Sequence, residues 1–268
     1  MRLGLSDTFL NGTLQGDSEM TNHANMKLGR REIRTDSRTL QLKKYIEAGL
    51  PAAPPAADWT KGIESWGMML NDKLGDCTIA SAAHAVQVWS ANTSGEITVP
   101  DDQVLQYFEL WDGYKPNDPS TDSGGVELNV LKNWQKGAFE SHKLIAFAAA
   151  AFKSIDEIRQ AIHLFGGVYI GVGLPLTAQK QEIWDVVPNG GADAKAGSWG
   201  GHAVFVPKYD EHGFTCITWG ELKTMTTAFW KEYVDEAYVL FSHDWMTRKG
   251  APSGFKFAEL KTDLAAIH

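Results

Sequence analysis

Cysteine is scarce in this chain, and the scarcity excludes whole classes of function. Two cysteines in 268 residues, Cys77 and Cys216, cannot build a disulfide framework. They are also too few for a zinc site, and the surrounding histidines lack ligand spacing, so no metal is expected. Long apolar runs are missing: nothing approaches the roughly 18 residues of a membrane span, and Met1 to Asn25 holds no continuous apolar core of signal-peptide length. Positive charge is in deficit, with Lys+Arg 25 against Asp+Glu 33, which argues against a nucleic-acid footprint over the surface. The expectation is a cytoplasmic protein with no nucleic-acid or membrane partner; a Cys77–Cys216 disulfide is the alternative use of the two thiols.

What is present has a clear order. Residues 1–25 are polar, without a sustained period, and read as a tail. Residues 26–48 carry seven basic side chains against three acidic ones, a local +4 in a chain of −8, with Leu40, Leu42, Tyr45 and Ile46 as an apolar face. The run Pro51-Ala52-Ala53-Pro54-Pro55-Ala56-Ala57 breaks any helix and reads as an extended linker. The division that follows is an N-terminal extension over 1–53, a folded domain over 54–248 and a C-terminal tail over 249–268.

Helical periodicity runs from Cys77 to Asn92, from Pro100 through Trp111, from Gly125 to Gly137 and from Ile155 to Phe165. After that the pattern alternates as strands do, at 168–172, 203–206, 214–218 and 237–241. Helices first and strands afterwards indicate α+β, with a helical lobe and a β-rich lobe facing each other across a cleft. Trp89, Trp111 and Trp134, at helical spacing, read as core.

Cys77 carries the chemistry. It follows the loop Asn71-Asp72-Lys73-Leu74-Gly75-Asp76 and opens an Ala-rich helix, where unpaired N–H groups and the helix dipole favour a thiolate. His202, in Gly200-Gly201-His202-Ala203-Val204, begins an apolar strand. One cysteine with a distant histidine is the sequence form of an activated thiol and its base. His84 lies on the same helix, two turns and roughly 10 Å beyond Cys77, too far for direct proton transfer. Asp76 reads as the helix N-cap, and Cys216, in a strand, as a buried inert thiol.

Taken in order, these residues resemble the papain-like cysteine peptidases. Asp58-Trp59 is similar to the start of the mature domain in that family. Asn71 stands six residues before Cys77, where the family carries an oxyanion-hole glutamine. Gly124-Gly125 is similar to the glycine pair that contacts substrate backbone, and His202-Ala203-Val204 followed by Trp219-Gly220 resembles the family's histidine and tryptophan motifs. The resemblance spans residues 54–245 and implies a two-lobed α+β fold whose long central helix starts at the cysteine, packed against an antiparallel β-rich lobe. It also implies peptide or amide hydrolysis of a peptide or protein substrate by thiol acyl transfer, with no cofactor. Cys77 would be the nucleophile, His202 the base, Asn71 an oxyanion donor and Gly124, Gly125 and Trp219 substrate contacts.

The chain departs from that pattern where the family has an asparagine orienting the histidine. Counting back from Trp219 gives Ile217 and counting forward from His202 gives Thr218, of which only Thr218 offers a hydroxyl. Asn71 has a plain alternative as a turn residue. The rival reading is a weak or inactive papain-like domain used for binding or assembly, docked on a protein partner through residues 1–50.

Overall fold

The computed structural model describes residues 22–46, 51–245 and 250–255, apart from the side chains of Tyr45 and Ile46. Residues 1–21 of the proposed tail, the apolar contribution of Tyr45 and Ile46, and most of the C-terminal tail thus lie outside the described part.

One sheet organises the molecule. Its strands are β1 (Leu40–Gln41), β2 (Ala57–Asp58), β3 (Leu144–Ala149), β4 (Val168–Leu174), β5 (Gly200–Tyr209), β6 (Gly213–Thr218), β7 (Glu221–Thr226) and β8 (Val234–Ser242). Their order is β1-β3-β8-β4-β5-β6-β7, with β2 also on β5; every pairing is antiparallel except β1 with β3. The α+β class and the β-rich half therefore stand as the sequence indicated.

Helix α1 (Lys43–Ile46) is a single turn, and α2 (Cys77–Thr93) is the long central helix, packed on β5. Its residues from Cys77 to Ser90 are all buried, so it shows little amphipathic contrast. Trp89, fully buried on α2, meets Trp134 and Phe205 and donates its indole N–H to the Phe165 carbonyl. Helix α3 (Asp101–Tyr107) continues into a π-helical turn at Phe108–Asp112, followed by α4 (Glu127–Lys136) and α5 (Ile155–Phe165). Gly166, with φ 79°, closes α5 in the left-handed conformation that glycine adopts without strain.

Of the strands and α-helices, six escaped the sequence reading: the two-residue β1 and β2 and the single-turn α1, too short to carry a period, and three longer ones. β3 is an alanine-rich strand without clean alternation, and β7 leaves every second residue partly exposed at the sheet edge. Helix α6 (Thr227–Tyr233) spans only seven residues; Thr226 caps it by accepting the Phe229 N–H.

Segments near both limits of the described residues are bound to the body. Pro51 and Pro54 carbonyls accept from Gln160 and Tyr209, which lays the Pro/Ala stretch along the surface. β1 adds to the edge of β3, and Phe255 packs on Phe165. Among the described residues no helix is long and apolar enough to cross a membrane.

Candidate active site

Cys77 sits at the first position of α2 with its side chain fully buried, and Sγ accepts the backbone N–H of Ala203 at 3.4 Å. That contact sets the thiol against the backbone of β5, one residue after His202. The imidazole Nε2 lies 2.7 Å from Thr218 Oγ1 on β6, while Nδ1 is buried without a hydrogen-bond partner. Thr218, not Ile217, faces the histidine; Ile217 is buried in the core opposite Phe205.

Trp219 covers the ring of His202, with centroids 4.6 Å apart and planes 18° from parallel. Trp219 and Gly220 form the two-residue turn between β6 and β7, and both have positive φ, 48° and 75°. Such turns match the twist of antiparallel strands, but a bulky residue in this conformation is strained. A second stacked ring helps to hold it: His23 lies on Trp219 as well, at 5.0 Å.

The cleft is occupied by the chain itself. The Gly29 carbonyl accepts the Gly125 N–H at 2.8 Å, the Arg31 N–H donates to the Gly125 carbonyl at 2.8 Å, and the Arg30 N–H donates to the Gly201 carbonyl at 3.0 Å. The Lys27 carbonyl accepts from the Trp219 indole. This strap, residues 22–34, joins the glycine pair of the helical side to β5 of the β side by backbone hydrogen bonds, as an added strand would. Glycines permit so close an approach: a Cβ on Gly29 would stand 1.8 Å from the Gly75 carbonyl oxygen, and one on Gly124 1.8 Å from the Gly29 oxygen. A cavity of 690 Å³ continues along the strap between Asp122 and Trp199.

Burial sets the protonation states. It pushes the Cys77 thiol up to about 12, against the pull of backbone N–H groups from Ala203 and Gly29 and with a further push from Asp76. Burial also pushes His202 down to about 3, assisted by the Arg30 charge. Thiol and imidazole are both neutral in this state. The thiolate expected from the helix N-terminus therefore does not form here: exclusion of water outweighs the dipole. Cys216 is likewise buried and raised, and both cysteines are free.

Two local expectations need correction. Asp76 occupies the N-cap position but its side chain caps nothing; it is buried and accepts from Asn71 Nδ2 at 3.1 Å. Asn71 uses its amide on Asp76 and on the Leu74 carbonyl, so it offers no free donor to the thiol in this state. His84 bonds the Gly67 carbonyl, a structural contact as expected.

Sequence reasoning overlooked the acidic lining. Asp112 accepts from Thr78 Oγ1 at 3.1 Å under the cleft, and Glu127, Asp235 and Glu236 surround the Arg30 guanidinium. The only signal was charge: a basic segment in an acidic chain.

Asp112 gives a pH prediction. Burial raises its carboxyl to about 6, although the Thr78 hydrogen bond and Arg31 act the other way. A carboxyl raised in the folded state binds its proton more tightly folded than unfolded, so its contribution is full below about pH 4 and is lost as pH rises through about 6. Asp112→Asn is expected to be more stable than the parent at pH 8 by about 3 kcal/mol, and close to it at pH 4, in denaturant unfolding. An unchanged pH slope in the variant would locate the effect elsewhere.

No family model and no curated protein matches the sequence. Solved structures do. Xylellain, a cysteine protease from Xylella fastidiosa, superposes with a TM-score of 0.61 at 16% identity over 81% of this chain and 96% of its own. A procathepsin B from Trypanosoma congolense gives 0.56 at 10% identity, covering 87% and 91%, respectively. The ragweed pollen cysteine protease Amb a 11, in its proform, gives 0.52 at 14% identity over 74% of this chain and 68% of its own. The fold is papain-like. Within that fold the central helix begins at Cys77 and the strand bearing His202 faces it, as the resemblance in the sequence implied.

Proposed function

We propose that this chain is a cysteine peptidase or amidase, seen in a latent state in which its own residues 22–34 fill the substrate cleft. The observation that carries the reading is the juxtaposition of Cys77 Sγ with the Ala203 N–H, next to a His202 whose far nitrogen is held by Thr218 and whose Nδ1 is unpartnered.

The reaction follows from those groups once the strap withdraws and water and substrate enter. The Cys77 thiolate adds to the carbonyl carbon of an amide, forming a C–S bond. His202, having taken the thiol proton, gives it to the amide nitrogen as the C–N bond breaks and the amine departs. Water then adds to the thioester, passes a proton to His202 and displaces the thiolate as the C–S bond breaks; the proton returns to sulfur. The Cys77 backbone N–H supports the oxyanion, and Asn71 joins it only after leaving Asp76. Gly125, whose N–H and carbonyl now bind the strap, offers those groups to a peptide or protein substrate. Two free cysteines suit a reducing compartment such as the cytoplasm.

The sealed thiol also supports the rival reading, a domain kept for binding or assembly. Incubating the full chain carrying Gly29→Ala, whose added methyl cannot fit beside the Gly75 carbonyl and so displaces the strap, with a peptide library and a peptidyl acyloxymethyl ketone separates the two. A cysteine peptidase is expected to cleave library members and to carry the ketone's mass on Cys77, with both lost in Cys77→Ala. A Cys77 that stays unlabelled, with no peptide cleaved, would favour the binding module.

A further inference from the structure

Arg30 enters a socket built wholly by the body of the protein. Its Nη1 donates to Glu236 Oε1 at 2.7 Å and its Nη2 to Asp235 Oδ2 at 2.6 Å, while Nε stands 3.9 Å from Glu127 Oε1. The side chain of Arg30 is 5% exposed and that of Glu127 is 0% exposed. Both Glu127 carboxylate oxygens lack any hydrogen-bond partner, so a fully buried carboxylate is aimed at the guanidinium without being satisfied. Glu236 is fixed in turn by the Tyr238 hydroxyl at 2.9 Å.

Three features make this a site and not an incidental ion pair. The socket sets three acidic side chains around one guanidinium; burial raises the carboxyls of Glu127 and Glu236 and the Arg30 charge pulls them back, so a cation in the socket is what keeps them ionised, whichever chain supplies it. Its back wall is Gly171 on β4, where a Cβ would stand 2.7 Å from Arg30 Nη1, from Glu127 Oε1 and from Glu236 Cγ, so a larger residue there would fill the space that the guanidinium needs. Finally, Arg30 follows Gly29, which touches the Cys77 side of the cleft, so whatever fills the socket lies one residue from the thiol.

We infer that the Glu127–Asp235–Glu236 socket is a guanidinium-binding site that selects an arginine side chain of a substrate polypeptide once the strap's own Arg30 leaves it. Arginine suits it better than lysine because two carboxylates meet a planar fork, whereas an ammonium is a point charge. The selection of substrate rests on the proposed peptidase reading; the binding of a guanidinium does not.

The test uses the full chain with Arg30→Ala, and agmatine as a small guanidinium probe. Agmatine at ten times its dissociation constant is expected to raise the melting temperature of Arg30→Ala by about 3 °C. It should leave the parent, whose socket is filled, unmoved, and should have no effect on Arg30→Ala carrying Glu127→Gln and Glu236→Gln. Acyloxymethyl ketone peptides bearing Arg should then label Cys77 of Arg30→Ala at least about 10-fold faster than those bearing Leu or Glu. A folded Arg30→Ala that ignores agmatine overturns the site, and agmatine binding with equal labelling by all peptides overturns the selection. Agmatine binding with a Cys77 inert even to iodoacetamide sinks the peptidase reading and leaves the socket standing. Should Arg30→Ala lose its cooperative melting, Arg30→Gln, which keeps part of the packing but not the charge, carries the same measurements.

Discussion

Gly29→Ala in the full chain is expected to expose Cys77, raising its rate of iodoacetamide labelling by about 10²-fold. The new methyl would begin 1.8 Å from the carbonyl oxygen of Gly75, and that oxygen is backbone, held in a loop whose Gly75 N–H is bound by Asp122. No rotamer change relieves such an overlap, so the strap must move. Overpacking of this kind costs about 1–3 kcal/mol, and each 1.4 kcal/mol shifts an opening equilibrium tenfold. The open state carries no corresponding penalty, because there the alanine meets only water. Opening admits water to the imidazole and the thiol and also removes the smaller push of the Arg30 charge on His202, so both groups move towards their ordinary values. Labelling is read by mass spectrometry, with Cys216, buried in β6, as the internal control. Equal labelling in parent and variant would mean that something other than the strap seals the thiol.

Thr218→Val is expected to lower the turnover of the opened protein by about 10²-fold, with KM little changed. Thr218 Oγ1 lies 2.7 Å from Nε2 of His202, close enough to accept the N–H of one tautomer and leave Nδ1 unprotonated on the free side. Valine keeps the volume and removes the acceptor, so Nε2 loses its partner in a buried setting and the ring loses its preference between tautomers. Thr218 acts here as a positioning residue, touching neither thiol nor substrate. Three readouts separate that role from simple packing: the acid limb of the pH–rate profile should shift, Thr218→Ser should restore activity, and Thr218→Asn should match or exceed the parent. If valine performs as well as threonine in a Gly29→Ala background, another group orients His202.

The sequence by itself determined the elements that bear the chemistry. A loop with Gly75 running into an alanine-rich period placed Cys77 at the head of a helix, and β-type alternation placed His202 at a strand end; both signals are local, written in spacing that a single segment carries. The two helices flanking Gly137 and Ser154 were legible for the same reason, since the apolar residues of α4 and α5 recur on one face. Edge strand β7 and the alanine-rich β3 were not, because their burial depends on neighbours far away in the chain. Only the tertiary structure decided the state of the site. The helix dipole at Cys77 is a local effect, but the exclusion of water that overrules it comes from a segment about 50 residues earlier in the chain. Likewise Asp76 was free to cap its helix as far as sequence could say, until packing buried it against Asn71. Basic residues 27–34 announced only an attraction to an acidic body. Which carboxylates meet Arg30 depends on α4 and β8 converging behind Gly171, elements more than 90 residues from the strap, brought together by the sheet's order and not by any spacing within the chain.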